Sequence, residues 1–340
     1  MADETPALRF GLYDLMEARP SVGLDRLYRE RFELIATAEA AGLWGYHTTE
    51  HHLTPLDATP SPSLFLAAAA QHTSTIRLGS LVHVLPLYEP VRLAEELLML
   101  DALTGGRLEI GFGKGISPPE QRLLGRDPDE RDANMHAVLE PVLAILRGEP
   151  YEGAAIPFRP VQWPHPPLWY AGNADFAGRH HLNVVLGGAA DRIIEGAHLH
   201  KAVAAAHAGT PDRLNDGPVP TTAFSRHVLV DRDAGRARRR ALEAWRAYDH
   251  NITTHFRRLG EARASNPTLD GDGELAMELG LLAVGTPDEV AANLLTVAGE
   301  APVDYSLASF CWGSLDHHEA MTSLDLFVTE VIPRVRAGLR

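Results

Sequence analysis

The feature that most constrains this chain is a rhythm: short β-like apolar runs alternate with longer segments of helical spacing along nearly its whole length. Residues 9–13, 44–48, 76–85 and 107–112 read as strands, and residues 24–41, 63–72 and 90–103 as the helices between them. Gly42 and Gly105-Gly106 mark helix ends. Strand–helix units in series imply a parallel sheet with right-handed crossovers. The pattern resumes with a helix over 130–146, a proline-rich irregular stretch over 150–167, and strands over 168–171, 183–186 and 221–230. A helix over 234–248 follows. Thr286-Pro287-Asp288-Glu289 opens a helix over 286–298. A strand over 304–310 and a helix over 323–337 close the chain. About eight strands with helices between them predict an α/β fold, a (β/α)8 TIM barrel with insertions, and 340 residues is a normal length for one. No repeat, low-complexity tract or linker interrupts the pattern, so residues 1–340 read as a single domain. Residues 258–282, rich in Gly, Asp and Asn and poor in periodicity, are the candidate mobile insertion.

Composition narrows the class of function. Hydrophobic residues make up 45% and charged residues 22%, as in ordinary soluble domains. A net charge of −14 argues against nucleic acid or an anionic membrane as partner. The lone cysteine, Cys311, rules out an intramolecular disulfide, and residues 1–6 carry no signal-peptide pattern, so a cytoplasmic protein is expected. No apolar stretch reaches membrane-spanning length.

In a barrel, chemistry sits at the C-terminal ends of the strands. Glu50-His51-His52 follows the second strand there. Two imidazoles beside a carboxylate suit proton transfer near neutral pH, although a surface histidine pair would read the same way. Gly111-Phe112-Gly113-Lys114-Gly115 ends the fourth strand. Its glycines let backbone amides approach an anion and Lys114 supplies charge; the plainer reading is a Gly turn with a solvated lysine. Leu81-Val82, in the third strand, suits contact with a flat ring, but its pattern alone favours barrel core. A metal-dependent hydrolase finds little support. His47 and His51 straddle a strand end, His198 and His200 point apart on a helix, and no His-Glu-X-X-His occurs, so no metal site is expected.

Together these segments resemble the bacterial-luciferase-like flavin monooxygenases. Glu50-His51-His52-Leu53-Thr54, Val84-Leu85-Pro86, Pro90-Val91-Arg92-Leu93-Ala94-Glu95, Leu100-Asp101 with Gly106-Arg107, and Gly285-Thr286-Pro287-Asp288-Glu289 are similar to that family's motifs, in the family's order. The resemblance implies His51 as the catalytic acid or base, flanked by His52 and Glu50. It implies a non-proline cis peptide at Leu81–Val82 beneath an isoalloxazine, and Lys114 near the flavin phosphate. Gly113 stands where luciferase has a reactive cysteine. Tyr13, Gly172 and Asn173 complete the residues assigned to the cofactor. The implied reaction is that of FMNH2 with O2 to a C4a-peroxyflavin, which then inserts oxygen into an organic substrate. No dinucleotide fingerprint is present, so a separate NAD(P)H-dependent flavin reductase is the expected partner.

An F420-dependent oxidoreductase of the same superfamily and a non-catalytic flavin-binding subunit are the alternatives. The family's early helices imply a homodimer through residues 62–73 and 90–103, where Leu66-Ala67-Ala68-Ala69-Ala70 offers a small-residue face. One departure stands out. Relatives place Ser or Thr in the loop after the fifth strand. Here Ala171-Gly172-Asn173-Ala174-Asp175-Phe176 runs on to Leu182 without a hydroxyl, and Asp175 adds negative charge. Weak FMN binding is the expected consequence.

Overall fold

The computed structural model describes residues 8–215, 217, 219–261 and 268–340. The acidic N-terminal segment and the middle of the expected insertion therefore lie outside the described residues. The elements run β1 (Arg9–Asp14), α1 (Leu24–Ala40), β2 (Gly45–Thr48), α2 (Pro62–Ala69), β3 (Arg77–Ser80), β4 (His83–Val84), α3 (Pro90–Leu103) and β5 (Leu108–Gly113). Next come α4 (Pro118–Leu123), α5 (Arg131–Leu146), β6 (Leu168–Ala171), α6 (Ala174–Arg179), β7 (Asn183–Leu186), α7 (Ala190–Ala206), β8 (Thr222–Val230) and α8 (Ala234–Leu259). The chain ends with α9 (Gly273–Glu278), β9 (Leu282–Gly285), α10 (Pro287–Ala298), β10 (Tyr305–Ser309), α11 (His317–Leu326) and α12 (Ile332–Gly338).

The sheet runs β10-β1-β2-β3-β5-β6-β7-β8 and closes on itself where β8 pairs with β10 in parallel, Ala223 opposite Tyr305 through His227 opposite Ser309. Two short strands stand outside this ring: β4 beside β5, and β9 beside the far half of β8. The result is a closed parallel barrel with alternating helices, a TIM barrel.

Strand period dictates two cores. Phe10, Leu12, Tyr46, Leu78, Ile110, Phe112, Val184 and Phe224 point outward into the layer between sheet and helices. Trp169, Val185, Ala223, Tyr305 and Leu307 fill the barrel's interior. Large and small residues alternate there: a Cβ on Gly11 would lie 1.9 Å from the Tyr305 hydroxyl oxygen, and one on Gly79 would lie 2.7 Å from Nδ1 of His47. These glycines are therefore set by packing, and His47 is a barrel-filling residue packed at an angle against Trp169 and Tyr305.

Several segments differ from the sequence expectation. The apolar run over 76–85 is not one strand. β3 stops at Ser80, whose hydroxyl oxygen accepts from the Gly111 N–H at 3.1 Å, and a cis peptide joins Leu81 to Val82 before the chain resumes as β4. Leu81, Val84 and Leu85 all stay buried, so the break does not bring the chain to the surface. α8 continues to Leu259, where Gly260 at φ 66° ends it. The described parts of the expected insertion carry α9, and β9 begins at its last residue, Leu282. The capping box at Thr286 is present as read, with the Thr286 N–H donating to Glu289 Oε2 at 2.7 Å. Among the described residues, no helix is long and apolar enough to cross a membrane.

Candidate active site

Strand ends on one side of the barrel converge on a cavity of about 350 Å³ at their C-terminal ends. β1 contributes Tyr13, the β2 exit Thr49, Glu50 and His51, and the β3 exit Leu81 and Val82. The β5 exit supplies Gly113 through Ile116, and the β6 exit Ala171, Gly172 and Asn173. Asp132, Met135 and His136 of α5 and Phe176 of α6 complete the wall. Of Glu50, His51, His52, Tyr13, Leu81, Val82, Lys114, Gly172 and Asn173, all but His52 line this cavity.

His51 is placed by a residue far away in sequence. Its Nδ1 lies 3.2 Å from Glu120 Oε2 on α4, and the other oxygen of Glu120 accepts from the His52 N–H. Pro118 and Pro119 fix the first turn of α4 and so aim Glu120 at both. Burial opposes protonation of His51, but the hydrogen bond and charge of Glu120, with the charges of Asp57 and Glu50, outweigh it and hold the imidazole's pKa above its ordinary value. Burial would raise Glu120's pKa, yet its bonds to His51 and His52 bring it below the usual carboxylate range. With Nδ1 so engaged, Nε2 is the nitrogen left to exchange a proton with the cavity.

Glu50 and His52 form a brace behind that pair. Glu50 is buried. One of its oxygens lies 2.9 Å from His52 Nε2, and the other accepts from the Val84 N–H at 2.8 Å and the Tyr88 hydroxyl at 2.9 Å. It thereby ties the β2 exit to the chain just beyond the Leu81–Val82 peptide. The His52 carbonyl in turn accepts from His255 of α8 at 2.7 Å. Val82 sits over Gly113, where a Cβ would lie 2.9 Å from the Val82 Cγ2. Gly113 thus makes room for the Val82 side chain. Opposite stands an aromatic wall in which the Tyr170 and Phe176 rings lie 4.7 Å apart.

The anion-binding features are less open than the sequence suggests. Lys114 Nζ donates to both oxygens of Asp132, at 2.7 and 2.9 Å. The Gly172 N–H donates to the Val185 carbonyl at 2.9 Å, so this amide is not free for a ligand. Asn173 caps α6, its side-chain oxygen accepting from the Phe176 N–H at 2.9 Å. Asp175 does not confront the cavity as an unpaired charge: it forms an i,i+4 pair with Arg179 at 2.7 Å. His198 and His200 are separated, the first bonding the Glu300 carbonyl and the second buried between Thr222 and the Leu182 carbonyl. Glu120 and Asp132 are the residues that sequence reasoning missed. A carboxylate in the first turn after Pro-Pro was a usable hint, but nothing in the sequence joins it to His51.

The Glu120–His51 bond makes a measurable prediction. Glu120→Gln is expected to lower the pH at which His51 gives up its proton, followed by the histidine resonances in an NMR titration. An unchanged midpoint would show that Glu120 does not set His51's protonation.

A sequence profile described as luciferase-like monooxygenase matches residues 8–304. An uncharacterised protein of Sinorhizobium fredii is 30% identical over 341 residues, covering 96% of this chain and 97% of its own. The oxygenase component of the flavin-dependent trigonelline monooxygenase of Acinetobacter baylyi is 30% identical over 192 residues, 52% of this chain and 53% of that one. Among solved structures, the oxygenating constituent of 3,6-diketocamphane monooxygenase of Pseudomonas putida, in complex with FMN, superposes with a TM-score of 0.79 at 20% identity over 97% of this chain and 99% of its own. The F420-dependent tetrahydromethanopterin reductase of Methanopyrus kandleri superposes at 0.69 with 18% identity, covering 97% and 99%. The profile match spans most of the length over which the barrel and its cavity are built, and the chain belongs to the luciferase-like monooxygenase family.

Proposed function

We propose that this protein is the oxygenase of a two-component monooxygenase. It receives reduced FMN from a separate NAD(P)H-dependent flavin reductase and, with O2, inserts one oxygen atom into a small organic substrate. The observation that carries this reading is the His51–Glu120 pair opening onto the same cavity as the Leu81–Val82 shelf and Lys114. The residues fit a flat heteroaromatic ring with an anionic tail: apolar side chains and an aromatic wall at one end, an ammonium at the other. Reduced flavin, when bound, supplies the electrons that activate O2; the protein's part is to hold it, exclude water and move a proton at His51 Nε2. The oxygenase component from Acinetobacter supports a reductase partner, and the FMN complex from Pseudomonas supports the flavin. The test is product formation from candidate substrates when a flavin reductase, NADH, FMN and air are supplied together. Flavin turnover without any oxygenated product across a broad substrate panel would count against an oxygenase.

FMN is held weakly in this reading. No hydroxyl side chain lies between Ala171 and Leu182, the Gly172 amide is engaged, and Lys114 is shared with Asp132. Each missing charge-assisted bond is worth roughly 1.5–3 kcal/mol, about ten- to a hundredfold in affinity. The protein is expected to purify colourless and to bind oxidised FMN no tighter than about micromolar. Stoichiometric yellow colour surviving dialysis would contradict this.

A homodimer through α2 and α3 is also proposed, for a different reason than the alanine run. Leu66, Ala69 and Ala70 are buried against the barrel. The outward face instead carries Leu64, Met99 and Leu103, exposed by 75%, 62% and 48%, around a groove between the two helices. A two-fold axis would bury these side chains against their own copies. Light scattering is expected to give a dimer that Leu64→Lys with Met99→Lys converts to monomer. A monomeric wild type would remove the proposal.

A further inference from the structure

Asp57, in the segment following β2, has figured so far only as a charge near His51. It is 5% exposed. Its Oδ1 accepts from the Thr59 N–H at 2.6 Å, and its Oδ2 lies 2.5 Å from the Thr49 hydroxyl. Thr49 lines the cavity, and Asp57 does not. The ionisable groups facing Asp57 are His51 on the same segment, Tyr13 on β1 and Tyr28 on α1. A buried carboxyl one hydroxyl away from the cavity has the arrangement of a proton store behind a wall.

We propose that Thr49 and Asp57 form a proton relay into the cavity, separate from His51, serving an oxygen or nitrogen atom of the bound molecule that gathers negative charge. The proposal rests on the flavin-site reading above. In the forward step the Asp57 O–H gives its proton to Thr49 Oγ while Thr49 gives its own hydroxyl proton to the acceptor in the cavity. Two O–H bonds break, one O–H bond forms on Thr49 and one bond to hydrogen forms on the acceptor, and the negative charge passes to Asp57. With Asp57 ionised, Thr49 donates to it and turns a lone pair to the cavity. With Asp57 protonated, Thr49 becomes a donor to the cavity. Geometry supplies the path, and burial, opposed by His51 and by the bonds from Thr49 and Thr59, supports it by pushing the Asp57 carboxyl up to about 7. Asp57 is thus a positioning and proton-holding residue, and Thr49 is the group that meets the ligand.

The relay is tested by two readouts on the full chain. Infrared difference spectra across neutral pH are expected to show protonated carboxyl groups titrating near 7. Asp57→Asn removes one such signal, while that of Glu17, also a buried carboxyl held up to about 7, remains. The second readout is the dissociation constant of riboflavin, chosen because it lacks a titrating phosphate. Loss of one donated hydrogen bond weakens binding by about two- to tenfold. Wild type and Thr49→Ser are expected to weaken by that factor more than Asp57→Asn does as pH rises through 7, the remainder belonging to His51 and His52. Thr49→Val should behave like Asp57→Asn. A full wild-type pH step in Thr49→Val, or no carboxyl signal lost in Asp57→Asn, would overturn the relay while leaving the flavin site standing. Failure of all four proteins to bind riboflavin would instead remove the flavin reading, and the relay with it.

Discussion

Replacing His51 with alanine is expected to lower kcat for substrate oxidation by about 10²–10⁴-fold, the usual share of a positioned general acid or base. The reason is local. His51 is the imidazole that both lines the cavity and carries a carboxylate partner on its far nitrogen, which fixes Nδ1 toward Glu120 and leaves Nε2 to act. The fold should survive, because Glu120 keeps its bond from the His52 N–H and Glu50 keeps its own three partners. His52→Ala should cost much less, since His52 stands behind the cavity and acts through Glu50. The measurement is steady-state product formation with reduced FMN held saturating, so that a fall in kcat is separated from weaker flavin binding. A His51→Ala variant with wild-type turnover would remove the assignment.

The second large effect concerns the ammonium at the cavity's rim. Asp132 holds Lys114 through both carboxylate oxygens, so an incoming phosphate competes with a charge already in place. Asp132→Asn frees the ammonium and removes a like charge, and it is expected to tighten oxidised FMN by about tenfold. Lys114→Ala is expected to loosen it by a similar factor. Both effects should shrink with added salt, because the pair is solvent-exposed. Riboflavin, which has no phosphate, should respond to neither substitution. Equal effects on riboflavin and FMN would show that Lys114 does not meet the phosphate.

Much of the barrel was legible because its strands and helices carry distinct periods. Every strand of the closed ring coincides with a run read from sequence, and α3 matches to the residue. What escaped has physical reasons. α4, α6 and β9 span six, six and four residues, too short for a periodicity to declare itself. The break at Leu81–Val82 is hidden because the chain stays buried on both sides of it, from Leu78 to Ser80 and from His83 to Leu85. The site was legible one strand end at a time: Glu50-His51-His52, Leu81-Val82 and Gly113-Lys114 could be placed at the barrel mouth by rule. Their partners could not. Glu120 meets His51 from 69 residues away, and Asp132 meets Lys114 across a helix start. The alanine run in α2 divides: Leu66, Ala69 and Ala70 pack inward, whereas Ala67 lines the groove beside the exposed Leu64 and Met99, because small residues suit a helix packing on a sheet as well as one packing on a second subunit.

The central claim is that this cavity takes reduced FMN and uses it with O2. Anaerobic titration of the protein with reduced FMN, in parallel with reduced F420, followed by exposure to air with a reductase-fed substrate panel, tests it most directly. The account predicts saturable binding of reduced FMN, none of F420, and on aeration an oxygenated product carrying one atom from labelled O2. Saturable binding of F420, with no binding of reduced FMN even at millimolar concentration, would contradict it.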